Sequence, residues 1–211
     1  MPAKYEITDI QHPFKDLVRI RALRDIPKFG VKAGDLGGYI AHAWNLSQLG
    51  ECWVGDDAQV LDNAQVLDNA RVFGNARVFG GAHVSGNAYV FDNAQVYDNA
   101  QIYDNAQVFN SAWVKGNSLI FGDAQIFGEP YIWGDAQVFG HAQVYEDASV
   151  YGNTVVNKNM KISEGCYVTS SDQIYYSDDV TAYFDKFDQL IVNGTSSDIE
   201  HHKTLARLKL L

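Results

Sequence analysis

No apolar run in the 211 residues approaches the ~20 needed to cross a bilayer, so no membrane role is expected. The opening stretch, MPAKYEITDIQHPFKD, holds no apolar signal segment, which makes the cytoplasm the expected location. Basic residues are scarce: 16 Lys and Arg stand against 26 Asp and Glu, a net charge of −10. The imbalance is uneven. Residues 1–40 carry seven basic and five acidic side chains (+2), residues 51–174 five and fifteen (−10), and residues 175–211 four and six (−2). An acidic body argues against direct nucleic-acid binding, which needs Lys and Arg to displace counterions from phosphates. It suits a basic protein partner, or mimicry of nucleic acid. The chain also lacks a Walker motif, a dinucleotide fingerprint, a CxxC pair and a nucleophile elbow. Neither a cofactor nor a metal is expected.

What the chain does have is hydrophobic mass, 46% of residues with 13% aromatic, enough for a core and unlike a disordered composition. It is arranged in one register. From Val54 to Ile174 an aliphatic returns every sixth position, as in Val60, Val66, Val72, Val78 and onward. Two residues before most of them sits something small, as in Ala58, Ala64, Ala70 and Ala76. On a strand, residues two apart share a face, so the small residue and the aliphatic point inward. Asp-Asn or Gly-Asn then makes a corner, Asn and Gly being the residues that tolerate a left-handed backbone. A fixed short period of this kind marks a solenoid. Cys52 and Cys166 both fall at the small position, 114 residues apart. A disulfide needs Cα atoms within about 7 Å, so two separate thiols are expected, serving as small hydrophobes.

The pattern of an aliphatic followed four positions later by a small residue, Val60 with Ala64 through Val144 with Ala148, resembles the hexapeptide-repeat proteins. The resemblance covers about 120 residues and implies an all-β fold, a left-handed parallel β-helix with triangular coils of eighteen residues. A narrower resemblance rests on Arg21-Ala-Leu-Arg-Asp25, Val31-Lys-Ala-Gly-Asp-Leu-Gly-Gly-Tyr39 and Asn45-Leu-Ser-Gln-Leu-Gly-Glu-Cys-Trp-Val54. These are similar to the opening segment of YdcK-like proteins, bacterial and phage-borne β-helix proteins often described as transferases. That resemblance implies an N-terminal β cap.

Three segments follow: a cap over residues 1–50, the β-helix over 51–174, and a C-terminal strand-and-helix cap over 175–211. In the first, Leu17 to Asp25 alternates apolar and charged residues, as a half-buried strand does, and Gly34, Gly37 and Gly38 suggest tight turns. In the last, Val180–Phe184 and Phe187–Val192 read as strands. Ser197 with Glu200 fits a capping box, and Ile199, His202, Leu205, Leu208 and Leu211 recur at helical spacing.

The position after each aliphatic points outward, yet from 61 to 157 fourteen of seventeen such residues are large and apolar or aromatic. The acyltransferases among hexapeptide-repeat proteins keep a small residue there, so this departure counts against carrying over their activity. Two readings stand: aromatic ladders that stack coil on coil, or an exposed interface, of which trimer packing is the simplest. Sorting by eighteen gives three faces. The first gathers Arg77, Phe79, Tyr97, Trp113, Lys115, Tyr131, Trp133 and Tyr151. The second gathers Gln65, His83, Tyr103, Phe121 and Phe139, and the third Arg71, Phe73, Tyr89, Phe91, Phe109, Phe127 and Tyr145. The binding surface expected is Tyr97, Trp113, Lys115, Tyr131, Trp133 and Tyr151, the most aromatic face with a basic residue beside it. Aspartate alternates with glycine up the corners, as in Asp62, Gly80, Asp98 and Gly116, which keeps like charges off adjacent rungs.

The function expected is a non-catalytic binding or assembly module, plausibly encoded by a phage or prophage, with a protein partner. Two alternatives remain. One is an acyl-CoA-dependent hexapeptide acyltransferase, with acyl-CoA as cofactor and His83 as general base. The other is an acidic decoy that inhibits a host defence protein.

Overall fold

Each hexad folds into a two-residue strand and a corner, because one small and one β-branched residue suffice to bury one short edge. The computed structural model describes residues 2–163 in full and, beyond them, the backbone of four strands: Cys166–Ser170, Gln173–Tyr176, Ala182–Phe184 and Leu190–Val192. Two-residue strands recur every six residues from Trp53–Val54 to Lys161–Ile162. Each up to Ser149–Val150 pairs in parallel with the strand eighteen residues on, Gln95 opposite Trp113 and Val96 opposite Val114. Three sheets result, of 11, 7 and 6 strands, wrapped around one core. The chain is an all-β parallel solenoid of about seven turns.

The core is a single column. Ala58, Val60, Ala64, Val66 and their successors are fully buried, and between coils the backbone closes the ladder, Gln95 N donating to Ala112 O at 2.9 Å and Tyr97 N to Val114 O at 3.0 Å. Where a hydroxyl replaces the inward alanine it is satisfied locally. Ser118 Oγ donates to Lys115 O at 2.7 Å and Thr154 Oγ1 to Tyr151 O at 2.6 Å, as a buried polar group requires.

The corners correct one expectation. The residue in the left-handed region is the first of the pair: Asp62 (φ 54°), Asp98 (φ 59°), Gly116 (φ 73°) and their equivalents. The asparagine after it serves differently, passing a hydrogen bond from rung to rung: Asn99 Nδ2 to Asn117 Oδ1 at 3.2 Å, and Asn117 Nδ2 to Asp135 Oδ1 at 2.8 Å. Nor is charge spacing the whole reason for alternating Asp with Gly. Gly80 N donates to Asp62 Oδ2 at 3.0 Å and Gly116 N to Asp98 Oδ2 at 3.1 Å. The carboxylate thus occupies a corner N–H that the β ladder leaves without a partner.

At the N-terminal side, β1 (Tyr5–Gln11), β2 (Val18–Ala22) and β3 (Leu36–Ile40) pair antiparallel, and β3 then pairs in parallel with Gln59–Val60. Ile40 and Leu46, six apart and both buried, face Val60 and Val66 at an offset of twenty. Two extra residues near Gln48 break the sixfold spacing before Val54. They are not slack: Gln48 Oε1 accepts from Lys4 N at 2.7 Å, and its Nε2 donates to Tyr5 O at 3.1 Å.

Gly34 turns the chain at φ 97°, but Gly37 and Gly38 lie within β3. A Cβ on Gly37 would stand 2.6 Å from Val54 O, and one on Gly38 2.6 Å from Ala58 O; close packing, not a turn, demands glycine there.

At the other end the spacing misleads. Cys166–Ser170 continues the parallel stack on Ser149–Val150, but Gln173–Tyr176 returns antiparallel, setting Ile174 opposite Val168. Ala182–Phe184 and Leu190–Val192 form an antiparallel pair, as the apolar clusters predict. The helix expected after Ser197 lies outside the described residues. Among those described, no helix is long and apolar enough to cross a membrane.

Candidate functional site

The outward residues fall on the three faces that the eighteen-residue step predicts, and the faces differ in how their rings pack. On the third face, Phe73, Phe91, Phe109, Phe127 and Tyr145 form one column, with centroids 4.9, 4.8, 5.2 and 5.1 Å apart and planes within 10°. On the second, Tyr103, Phe121 and Phe139 do the same at 4.9 and 4.7 Å. All of these rings are half-buried. Parallel strands carry equivalent side chains one rung apart, about 4.8 Å, which is also the distance at which aromatic rings stack. These two columns are structural ladders.

The first face behaves differently. Its column starts with Phe79 stacked on Tyr97 at 4.7 Å and ends with Trp133 on Tyr151 at 4.8 Å, but Lys115 separates the two pairs. The Lys115 ammonium lies 5.8 Å from the Tyr97 centroid and 5.9 Å from that of Trp133, within the range of a cation–π contact. The neighbouring column is irregular too. Trp113 stands edge-on to Tyr97 at 6.2 Å and 77°, and tilts 35° from Tyr131 at 5.4 Å. Next above Tyr131 comes Ser149, whose hydroxymethyl group cannot cover a ring. Tyr131 is 45% exposed and Trp133 43%.

The structure therefore brings Tyr97, Trp113, Lys115, Tyr131, Trp133 and Tyr151 onto four consecutive rungs of one sheet. Both flanking regions nearer the N-terminus are occupied by the first fifty residues. His12 packs edge-on against Tyr39 at 4.9 Å, Arg19 lies 4.5 Å over the same ring, and Lys15 donates to Gln59, covering the first rungs of the first face. On the third face Phe29 approaches Tyr89 at 6.1 Å, and the Arg71 guanidinium lies 5.2 Å from Phe29 and 4.4 Å from Phe73. Arg71 and Phe29 are 42 positions apart, and no sequence pattern joins them. Among the described residues, what remains open on the first face is the C-terminal half.

Beside that half, at the corner leading into it, Gly128, Glu129, Glu146 and Asp147 line an open depression of about 420 Å3. Glu146 sits in the left-handed region at φ 55°, and Pro130 takes the inward small position between Glu129 and Tyr131.

His83, the residue an acyltransferase reading would require as base, is exposed on the second face, with Gln65 and Gln101 as its rung neighbours. No carboxylate orients its ring among the described residues; the histidine that approaches an acid is His141, 3.6 Å from Asp123. No group of three or more His, Cys, Asp or Glu able to hold a metal occurs among the described residues. Cys52 is a buried free thiol. The side chain of Cys166 lies outside the described residues, and with it the other half of the expectation of separate thiols.

A search of curated proteins finds no match to the chain. The sequence profile of the YdcK Beta solenoid repeat family matches it twice, over residues 70–86 and 100–116. Both stretches lie inside the regular stack, each one residue short of a coil. Over these two stretches the solenoid is similar to YdcK Beta solenoid repeats.

Proposed function

We propose that the chain is a non-catalytic binding module that holds a protein partner against the C-terminal half of its first face. The observation that carries the reading is the exposure of Tyr131 and Trp133, 45% and 43%, on a solenoid whose other two faces stack their rings in columns. Trp and Tyr supply large contact area at little conformational cost and dominate the energetics of protein interfaces. The stacked coils hold them on a rigid, nearly flat surface, which favours recognition over chemistry, since small-molecule sites are concave. A transferase using acyl-CoA would call for an oriented base, and among the described residues no carboxylate orients His83. Carriage by a phage or prophage, and location in the cytoplasm, belong to the same proposal.

The test is comparative capture from a cell extract. The native protein, the Trp113→Ala/Trp133→Ala variant and a His83→Ala/Gln101→Ala control on the second face are immobilised after thermal melts confirm folding. A partner retained by the native protein and the control, and lost with the tryptophans, is the expected result. Retention unchanged by the tryptophan substitutions overturns the assignment of the face.

A further inference from the structure

Glutamine is the commonest residue at the outward position before each aliphatic, and its amide can join one rung to the next, as Gln143 Nε2 does in donating to Gln125 Oε1 at 2.9 Å. Arg71 and Arg77 stand at that position instead. Among the described residues each leaves a buried Nε without a hydrogen-bond partner. The two differ in what surrounds them. The Arg71 guanidinium lies against both Phe29 and Phe73, at 5.2 and 4.4 Å, and so ties the first segment to the stack. Arg77 has Phe79 alone, at 5.2 Å, and its rung neighbours are Gln59 and Gln95. A glutamine at 77 would sit between two of its own kind, so the coil itself does not call for a cation there.

A second cation faces the same spot. Lys15, on the loop between β1 and β2, donates to Gln59 Oε1, and the Gln59 amide nitrogen lies 3.4 Å from His12 Nε2. Gln59 is thus held by the loop at both ends of its amide, with Lys15 brought beside the rung of Arg77. Burial lowers the Lys15 pKa, and the Arg77 charge lowers it further. Among the described residues neither Lys15 nor Arg77 forms an ion pair, although the same first segment pairs Arg19 with Asp57, Arg21 with Glu6 and Lys32 with Asp25. Lys15, Arg77, Gln59 and Gln95 are all half-buried. Two partly desolvated like charges side by side repel, and an anion between them removes the repulsion.

We infer that Lys15, Arg77 and Gln95 form a site for one phosphate dianion, either free or carried as a monoester on the partner. The Arg77 fork and the Lys15 ammonium supply charged donors, which make the shorter and stronger hydrogen bonds to phosphate oxygens. The Gln95 amide adds a neutral donor from the next rung. Two positive charges match a single dianion, while fifteen acids against five bases over residues 51–174 disfavour a longer polyanion. Gln95 is also the rung neighbour of Trp113. The site therefore borders the aromatic surface but shares no residue with it, and either can fail without the other.

The experiment follows the side-chain amide signals of Gln59 and Gln95 by NMR while the full-length protein is titrated with inorganic phosphate at constant ionic strength and pH 7.5. Saturable shifts in the millimolar range are expected, with acetate binding more weakly. Arg77→Gln and, separately, Lys15→Gln should each weaken binding about tenfold, after thermal melts confirm folding. Arg21→Gln/Lys32→Gln, which removes positive charge from exposed pairs in the same segment, should leave affinity within about twofold. Phenyl phosphate separates the two sources: tighter binding than inorganic phosphate assigns the site to a phosphorylated group of the partner, and equal or weaker binding assigns it to the free ion. Shifts that do not saturate, an equal response to acetate, or an equal loss in Arg21→Gln/Lys32→Gln overturns the inference. Partner capture through Trp113 and Trp133 is read separately and stands whichever result is found.

Discussion

Lys4 Nζ donates a hydrogen bond to Cys52 Sγ at 3.0 Å, and both side chains are fully buried. The ammonium also donates to Leu49 O at 3.2 Å. Burial lowers the Lys4 pKa and raises that of the Cys52 thiol, each group opposing the shift of the other. The thiolate is the reactive form of cysteine, so Cys52 should resist modification in the folded protein. At pH 7.5 its reaction with an aromatic disulfide reagent should be slow, and accelerate only with denaturant. Lys4→Ala, which opens a cavity beside the thiol at a cost of about 2–5 kcal/mol, should raise the rate severalfold. Rapid labelling of Cys52 in the native protein at low denaturant would contradict the buried pair.

Tyr5 predicts how the same region responds to alkali. Its hydroxyl shares its one proton between Leu46 O at 2.7 Å and Ala43 O at 2.9 Å. Burial pushes its pKa up from the usual 10.0 to about 12. A group whose pKa is raised by folding binds its proton more tightly in the folded state, so its contribution is complete below pH 10 and is lost as pH climbs toward 12. Stability measured by urea melts should fall across that window. Tyr5→Phe should lower stability by about 1–2 kcal/mol at neutral pH through the lost hydrogen bonds, and should flatten the alkaline slope. A slope unchanged by the substitution would place its origin elsewhere.

The third-face ladder makes a graded prediction. Phe109 stacks on both Phe91 and Phe127, whereas Tyr145 stacks on Phe127 alone among the described residues. With each stack worth about 0.5–1.5 kcal/mol beyond burial, Phe109→Leu should cost roughly twice what Tyr145→Leu costs in denaturant melts. Equal costs would mean that burial, not stacking, holds the column.

Asp98 reverses a usual rule. Glycine normally weakens a chain relative to alanine, but Asp98 sits at φ 59° and accepts from Gly116 N. Asp98→Ala keeps the strain of a Cβ at positive φ and loses the hydrogen bond; Asp98→Gly loses the bond and relieves the strain. Asp98→Ala should therefore be the less stable by about 1 kcal/mol, readable as a lower melting temperature. The opposite order would show that the corner tolerates Cβ without help.

Much of the fold was legible because it is local. Val60 and Ala64 lie inward whatever the rest of the chain does, since strand geometry alternates sides every residue, and the step of eighteen sorted the outward rings onto their true faces. Legibility failed where a residue's role depends on something distant. Gly37 read as a turn, yet it is glycine because Val54 O stands where its Cβ would go. Ile174 fitted the sixfold series, yet it faces Val168 antiparallel, since spacing alone carries no strand direction. The candidate face shows the same division. Its six residues could be gathered by arithmetic, but not the fact that two of them stay exposed.

By itself, then, the sequence determined the coil: one small residue, one β-branched residue and a corner in every six leave the backbone little other way to bury them. The tertiary structure decided which outward rings are scaffold and which are surface. That outcome is set by neighbours eighteen residues away, Lys115 below Trp133 and Ser149 above Tyr131, and by a first segment that folds back over some rungs and leaves others open. Stacking and exposure belong to pairs of residues, and only the wound chain makes those pairs.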